Sequence, residues 1–299
     1  MTTVSRRNFL AAATATVATL SYAGRASGLS PLGLPLGLQL YSVRQQMAED
    51  LGATLAAVSA AGYTEVEAAA LPKQSAKEIR AALDKASLRC VSAHHPFADL
   101  HERLDELVEY DKQLGVRYII CSSPGYRTPP SAGTPHGQPL TLDDWHYNAD
   151  QLNAMGERVG ASGVSLGYHN HTREFAMTEG KTPYMELLQL TDPKKVTFEL
   201  DCGWAIVAGV KPAEIMTNHP NRISMLHVKD FKLSANPSPE NHDAKATELG
   251  RGTIDYGPVF AQAAKTQRIV HAFVEQEEFD LPWKESLKID ADYMRSLKS

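Results

Sequence analysis

The sequence contains few cysteines, no block of basic residues and, beyond its N-terminal segment, no long apolar run. Its three cysteines, Cys90, Cys121 and Cys202, each lie in an apolar stretch typical of a strand. Three thiols cannot all pair, so we expect buried free thiols rather than a disulfide framework. Without a Lys/Arg block, nucleic acid is not an expected partner. Without a second long apolar stretch, stable membrane insertion is not expected.

Residues 1–27 have the composition of a targeting signal. Ser5-Arg6-Arg7-Asn8-Phe9-Leu10 matches the twin-arginine export signature, and the apolar run Leu10–Ala23 is too short to span a bilayer. Small residues near the end of the segment are typical of a cleavage site. This order of features favours a signal over an ordinary amphipathic first helix. It predicts a periplasmic protein with one folded domain, residues 28–299.

Strand-like apolar runs alternate with amphipathic helical patterns through the rest of the chain. The eight predicted strands are Leu36–Tyr41, Thr64–Ala68, Arg89–Ala93, Arg117–Cys121, Val164–Tyr168, Val196–Leu200, Ile223–Val228 and Ala272–Glu275. The predicted helices are Leu51–Ala61, Ala76–Ala86, Leu100–Leu114, Leu142–Gly160, Tyr184–Leu190, Ala213–Asn218, Pro258–Thr266 and Trp283–Leu297. Strict alternation indicates a parallel sheet covered by helices. Eight repeats, with no Gly-x-Gly-x-x-Gly after the first strand, favour an α/β fold of the single (β/α)8 TIM-barrel type over a doubly wound sheet.

Ionisable residues cluster at the ends of predicted strands five to eight. These ends read His169-Asn170-His171, Glu199-Leu200-Asp201, His227-Val228-Lys229 and Glu275-Gln276-Glu277. Because side chains alternate between the two faces of a strand, residues two apart in each segment share a face. If that face is the barrel interior, four successive strands bring imidazoles and carboxylates to the rim on which barrel enzymes build their sites.

Unpaired charge inside a barrel is costly, and a divalent cation removes that cost. The predicted ligands are one residue from each strand: His169, Asp201, His227 and Glu275. Mixed imidazole and carboxylate donors suit Mn²⁺, which we expect first, and also Mg²⁺, Co²⁺ or Zn²⁺. A single such histidine is more often a hydrogen-bonded core residue, but four strand ends in succession favour a metal site. His171 remains an alternative ligand on strand five.

Several segments around these residues resemble the xylose isomerase-like barrel superfamily, in its branch of sugar phosphate isomerases/epimerases. They are Gly37–Ser42, Gly62–Glu67, Gly167–His171, Leu200–Trp204, His227–Phe231, Leu249–Tyr256 and Phe273–Gln276, which span nearly the whole mature chain. The family 2 apurinic endonucleases share this fold. The resemblance implies metal ligands at the ends of strands five to eight and proton transfer next to a carbonyl group of a sugar.

The chain departs from the ketose 3-epimerases of this superfamily at one ligand. In those enzymes the strand-five and strand-eight ligands are both glutamates, and each can act as a base on one face of the sugar. Here His169 stands at strand five. We expect a metal-dependent sugar isomerase/epimerase-type enzyme. The alternative is a lyase or dehydratase acting on a keto-sugar or 3-keto-glycoside, as in relatives that resemble inosose dehydratase.

Further roles are predicted from position along the strands. Glu275 is expected to act as the base as well as a ligand, Lys229 to stabilise the enolate, and His94 to be a second acid/base. A solvated rim lysine and a loop histidine are the alternatives for the last two. The expected substrate-binding residues are Glu67, His171, Glu174, Trp204 and Arg251, and Tyr41 offers a further ring for stacking.

Two other functions are weighed against the enzyme. An apurinic endonuclease needs more metal ligands and a basic groove, which a net charge of −5 argues against. A sugar-binding barrel without catalysis has no need of metal ligands from four strands, so the metal content separates it from an enzyme. The expected partner is a small-molecule sugar or sugar derivative, and the sequence is compatible with a homo-oligomer.

Overall fold

The computed structural model describes residues 31–129, 138–241 and 243–297, so the predicted targeting segment lies outside the described residues. The strands are β1 (Gly37–Gln39), β2 (Glu65–Ala68), β3 (Arg89–His95), β4 (Tyr118–Cys121), β5 (Ser165–His169), β6 (Val196–Asp201), β7 (Ile223–Val228), β8 (Asp230–Lys232), β9 (Lys245–Thr247) and β10 (His271–Val274). Eight of them form a closed parallel barrel in the order β1-β2-β3-β4-β5-β6-β7-β10. The predicted (β/α)8 fold is confirmed.

Helices connect successive barrel strands and cover the outside of the sheet. They are α1 (Arg44–Glu49), α2 (Leu51–Ala61), α3 (Ala76–Lys85), α4 (Phe97–Leu114), α5 (Leu142–Ala161), α6 (Pro183–Leu190), α7 (Cys202–Val207), α8 (Pro212–Asn218), α9 (Gly257–Thr266) and α10 (Trp283–Ser296). Their ends follow from local chemistry. Ser75 and Glu78 form a capping box at the start of α3. Gly62 ends α2 with a φ of 103°, and Gly115 ends α4 with a φ of 96°. Both lie in the left-handed conformation that glycine adopts easily.

The structure differs from the prediction at the end of β1 and adds short elements in the connections that follow β6 and β7. The first strand stops at Gln39 because the side chain of Gln39 accepts the N–H of Tyr41 at 3.0 Å and turns the chain into a short 3₁₀ helix, Leu40–Val43. The long segment after β7 contains the antiparallel hairpin of β8 and β9. The segment after β6 forms the short helix α7.

The inside of the barrel is layered. Val91, Ile120, Met225 and Phe273 form a small apolar cluster separate from the main core between sheet and helices. Phe273 lies opposite His227 in the register of β10 and β7. Inward positions recur every second residue along a strand. The inward positions that follow this apolar cluster toward the C-terminal rim carry polar side chains.

Two expectations from composition can be compared with the structure. Cys90, Cys121 and Cys202 are all buried and free, which confirms the prediction of buried thiols. Among the described residues, no helix combines the length and the apolar character needed to cross a membrane.

Candidate metal and active site

The four predicted metal ligands converge at the C-terminal rim of the barrel. His169, Asp201, His227 and Glu275 are all buried, and one ligand atom from each lies within 4.8 Å of the others. Oδ2 of Asp201 is 3.8 Å from Nε2 of His169 and 3.9 Å from Nδ1 of His227. Nδ1 of His227 is also 3.0 Å from Oε2 of Glu275. The fold therefore gathers two imidazoles and two carboxylates around one point.

Asp201 shows that this donor set suits a cation. Its Oδ1 accepts the N–H of Trp204 at 2.7 Å, whereas its Oδ2 is buried and lies 2.9 Å from Nζ of Lys229. Burial raises the pKa of Asp201 to about 6, although the nearby ammonium of Lys229 opposes this rise. A buried carboxylate oxygen that faces two imidazole nitrogens matches the ligands that divalent metals take from proteins.

The opposite nitrogens of the two histidines face buried carboxylates. Nδ1 of His169 is 3.0 Å from Oε2 of Glu199. Nε2 of His227 is 2.7 Å from Oε2 of Glu67 and 3.2 Å from Oε2 of Glu199. Metal-bound histidines commonly donate their second N–H to a carboxylate, which sets the orientation of the ring. Glu199, to which the sequence assigned no role, was detectable because it lies two residues before Asp201 on the inward face.

Glu67, which was predicted to bind substrate, lies next to the imidazoles of His94 and His227. It is 0% exposed, and its carboxylate accepts hydrogen bonds from Nε2 of Gln39 at 2.7 Å, from the hydroxyl of Ser92 and from His227. Protein donors therefore occupy both oxygens. Gln39 and Ser92 were not predicted, since neither residue type signals a site by itself.

His94 reaches the same layer from β3. Its Nε2 lies 3.0 Å from Glu67 and 2.7 Å from Glu199, so this nitrogen carries a hydrogen and donates it. Burial lowers the pKa of His94, but these two carboxylates outweigh burial and raise it to about 9. Nδ1 makes no hydrogen bond to the described residues. His94 thus has one anchored nitrogen and one that is open to a ligand.

A second group of residues could also hold a metal: His94, His169, Glu199 and His227. It shares His169 and His227 with the first group, and Glu199 faces the nitrogens of these rings that point away from Asp201. A neutral imidazole offers a lone pair on only one of its two nitrogens. One histidine therefore cannot serve both groups at once, and the arrangement suits a single ion.

Lys229 is buried among three carboxylates. Its Nζ lies 2.7 Å from Glu275, 2.9 Å from Asp201 and 3.0 Å from Glu277. Gly203 makes room for this side chain, because a Cβ at Gly203 would lie 2.3 Å from Cγ of Lys229. The alternative of a solvated rim lysine does not fit a side chain that is 3% exposed.

The carboxylate of Glu275 is held in its charged form. Burial alone would raise the pKa of Glu275, but the ammonium of Lys229 and the imidazole of His227 hold it well below its usual range. Glu275 is therefore ionised at neutral pH.

Two cavities open beside this centre. The main cleft, of about 380 Å³, is partly open to solvent and is lined by Tyr41, Ala69, Ala70, His94, Pro96, Ser122, Ser123, His169, His171, Arg173, Glu275 and Glu277. The side cavity, of about 170 Å³, is lined by Trp204, Lys229, Asp230, Phe231, Ala244, Lys245, Ala246, Thr247, Glu275, Gln276, Glu277 and Glu278.

The remaining predicted substrate-binding residues fall in different places. His171 lines the main cleft and Trp204 lines the side cavity. Glu174 is fully buried, and it accepts the hydroxyl of Tyr168 at 2.9 Å and the N–H of His171 at 2.8 Å. Its position supports the loop after β5. Arg251 is exposed and lines neither cavity.

Comparison with known families matches residues 55–297 to the family described as xylose isomerase-like TIM barrel. An inosose dehydratase of Geobacillus thermodenitrificans is 27% identical over 219 residues, which cover 67% of this chain and 73% of that one.

Two solved structures have the same overall arrangement. A sugar phosphate isomerase/epimerase from Parabacteroides distasonis has a TM-score of 0.69 at 26% identity, covering 88% of this chain and 94% of that chain. A xylose isomerase-like TIM barrel protein from Mycobacterium smegmatis, in complex with magnesium, has a TM-score of 0.65 at 12% identity, covering 89% and 97%. At that identity the second comparison supports the fold alone.

Proposed function

The chain belongs to the xylose isomerase-like TIM barrel family, and we propose that it is a metal-dependent carbon–oxygen lyase of a keto-sugar or sugar derivative. The observation that carries this proposal is the placement of Glu275 and His94 on the same cleft, from strands that β1 and β2 separate. One carboxylate and one imidazole form an asymmetric acid–base pair. Such a pair suits the removal of a proton from one carbon and the departure of an oxygen from the next.

His169, Asp201, His227 and Glu275 would hold the metal. Mn²⁺ is the ion we expect first, with Mg²⁺, Co²⁺ and Zn²⁺ as alternatives, because the donors are nitrogen and oxygen without thiolate. When bound, a divalent ion supplies Lewis acidity that makes the hydrogen next to a carbonyl group more acidic.

Two residues of the protein then carry out one proton transfer each. The Glu275 carboxylate takes the proton from the carbon next to the carbonyl, and the electron pair of that bond forms the enolate. Lys229, 2.7 Å from Glu275, is placed to stabilise the negative charge that develops. The enolate expels the oxygen on the neighbouring carbon, and His94 gives that oxygen a proton, so the products are an enone and water or an alcohol.

A sugar isomerase or epimerase is the second candidate. The 26% identical Parabacteroides distasonis protein described as a sugar phosphate isomerase/epimerase favours it. The inosose dehydratase from Geobacillus thermodenitrificans favours the lyase. Both reactions begin with the same proton abstraction and differ in the second step, because an isomerase returns the proton whereas a lyase expels the leaving oxygen.

Exchange of the substrate hydrogen with deuterated water tests the shared step. We would incubate the Mn²⁺-loaded protein with an inosose, a ketose and a 3-keto-glucoside, and follow deuterium incorporation and product by NMR. Glu275→Gln should slow exchange by about 10²–10⁴-fold, the usual contribution of a general base. Glu186→Gln, the same change at a glutamate on the outer helix α6 that pairs with His146, is the control and should retain exchange.

Metal content has to be measured in both variants, so that loss of the ion is not taken for loss of the base. Wild-type exchange in metal-loaded Glu275→Gln would rule out Glu275 as the base. A product that retains its oxygen on the neighbouring carbon would favour the isomerase over the lyase.

A further inference from the structure

The side cavity lies directly beside the proposed reaction centre. Glu275 and Glu277 line both the side cavity and the main cleft, so these two carboxylates form a shared wall. Lys229, which pairs with both of them, faces the side cavity. A substrate whose reacting carbon lies at Glu275 is therefore at the boundary of the two spaces.

The side cavity has the walls of a ring-binding site. The rings of Trp204 and Phe231 pack with their centroids 4.9 Å apart, and Ala244 and Ala246 line the space beside them. Aromatic and small apolar side chains with a few polar groups are the usual lining of small-molecule sites, and volumes of about 300–1,000 Å³ are typical of them. The main cleft, at about 380 Å³, falls within that range, and the side cavity, at about 170 Å³, is smaller than a complete site, as expected of a subsite that adjoins it.

Two polar atoms of the lining residues lack partners. Gln276 is 2% exposed, and its Oε1 makes no hydrogen bond to the described residues. Its Nε2 lies 3.4 Å from Oε1 of Glu248, which sets the orientation of the amide. Nε1 of Trp204 also makes no hydrogen bond to the described residues. Buried polar atoms are nearly always paired, so an unpaired acceptor and an unpaired donor indicate a missing group. Hydroxyl groups both donate and accept.

We propose that the side cavity is a second subsite that holds another hydroxylated ring of the substrate, so that the protein acts on a two-ring sugar such as a disaccharide derivative. The inference rests on the proposed function, since it assumes that the reacting ring lies in the main cleft. The second ring packs beside Trp204, Ala244 and Ala246, and its hydroxyls pair with Gln276 and with the indole N–H.

Calorimetric titration of the Mn²⁺-loaded protein with glucose, and with maltose, cellobiose and trehalose, tests the subsite. At least one disaccharide should bind about tenfold or more tightly than glucose, which needs only the main cleft; tenfold corresponds to about 1.4 kcal/mol. Ala246→Trp should fill the side cavity and abolish that advantage, whereas Ala246→Ser should preserve it.

Gln276→Leu provides a second variant in case the tryptophan disturbs the hairpin. It removes the unpaired acceptor and should weaken disaccharide binding by about threefold to tenfold, the effect of one hydrogen bond, without changing glucose binding. Glucose binding as tight as that of every disaccharide would overturn the subsite and leave the proposed function standing. A disaccharide advantage that survives in both variants would also overturn the subsite. Failure of the proposed function would appear separately, as absence of hydrogen exchange.

Discussion

Oε2 of Glu199 lies 3.0 Å from Nδ1 of His169, on the side of the ring that faces away from Asp201. The same oxygen lies 2.7 Å from Nε2 of His94 and 3.2 Å from Nε2 of His227. Burial and the charge of Glu67 raise the pKa of Glu199, but the surrounding imidazoles outweigh them and hold it at about 2. A single carboxylate oxygen thus orients three imidazole rings.

Glu199→Gln should weaken Mn²⁺ binding by about 10–100-fold, the usual effect of removing a carboxylate that orients a metal ligand. An amide of the same size lacks the charge that keeps three rings in place. The measurement is calorimetric titration of the metal-free protein with Mn²⁺. Glu186→Gln is the matched control, because Glu186 also pairs with a histidine, His146, but on the outer helix α6. Equal Mn²⁺ affinity in both variants would exclude an orienting role for Glu199.

Asp201 has two separable functions, one for each oxygen. Oδ1 caps α7 and Oδ2 faces the proposed ion. Asp201→Ala should lose both, whereas Asp201→Asn keeps an acceptor for the cap. We expect both variants to lose bound metal and activity, and only the alanine variant to lose about 0.5–2 kcal/mol from the cap. Elemental analysis and urea unfolding measure the two effects. Full metal occupancy in either variant would contradict the ligand assignment.

Asp290 on α10 should make stability depend on pH. Its Oδ1 accepts the N–H of Leu249 at 2.7 Å, and its Oδ2 has no partner among the described residues. Burial raises the pKa of Asp290 from 3.8 to about 8. The folded protein therefore keeps this proton where the unfolded chain has lost it. Stability from this group is full below about pH 4, falls as the pH rises toward 8, and changes little above 8.

Asp290→Asn stays neutral and should become more stable relative to wild type as the pH rises, by roughly 1.4 kcal/mol per unit between about pH 4 and 8. Urea unfolding at pH 5, 7 and 9 measures the difference. Asp292→Asn, on the same helix, is the control, because salt bridges to Lys288 and Arg295 hold the pKa of Asp292 below its usual value. A constant difference between Asp290→Asn and wild type would show that Asp290 titrates normally.

The export signal is a prediction from sequence alone. Arg6→Lys combined with Arg7→Lys should leave the precursor in the cytoplasm, because the twin-arginine route requires both arginines. Fractionation of a bacterial host and the size of the product report transport and cleavage. Arg25→Lys, later in the same segment, should be exported normally. Efficient export of the double-lysine variant would mean that another route is used.

The repeating patterns of the sequence determined the fold and the residues at the strand ends. Alternation of strands and helices predicted the barrel. The period of two along each strand predicted that His169, Asp201, His227 and Glu275 face inward together. Parallel strands end at one rim, so local periodicity was enough to place these residues near each other.

Where a side chain goes within a loop was less predictable. Glu174 follows His171 closely, as expected of a site residue, but its carboxylate turns back to accept the N–H of His171. Arg251 lies in a segment shared with the family, but its side chain is exposed away from both cavities. Side-chain direction in a loop depends on local hydrogen bonds that residue type and spacing do not encode.

Only the tertiary structure decided which residues lie behind the proposed ligands and which line the side cavity. Glu67 and His94 come from β2 and β3, and they reach His227 because the sheet closes and staggers its strands. The side cavity depends on the hairpin of β8 and β9, whose short polar strands show no periodicity. Contacts across a closed barrel join residues far apart in the chain, and their distances follow from the closure rather than from any local pattern.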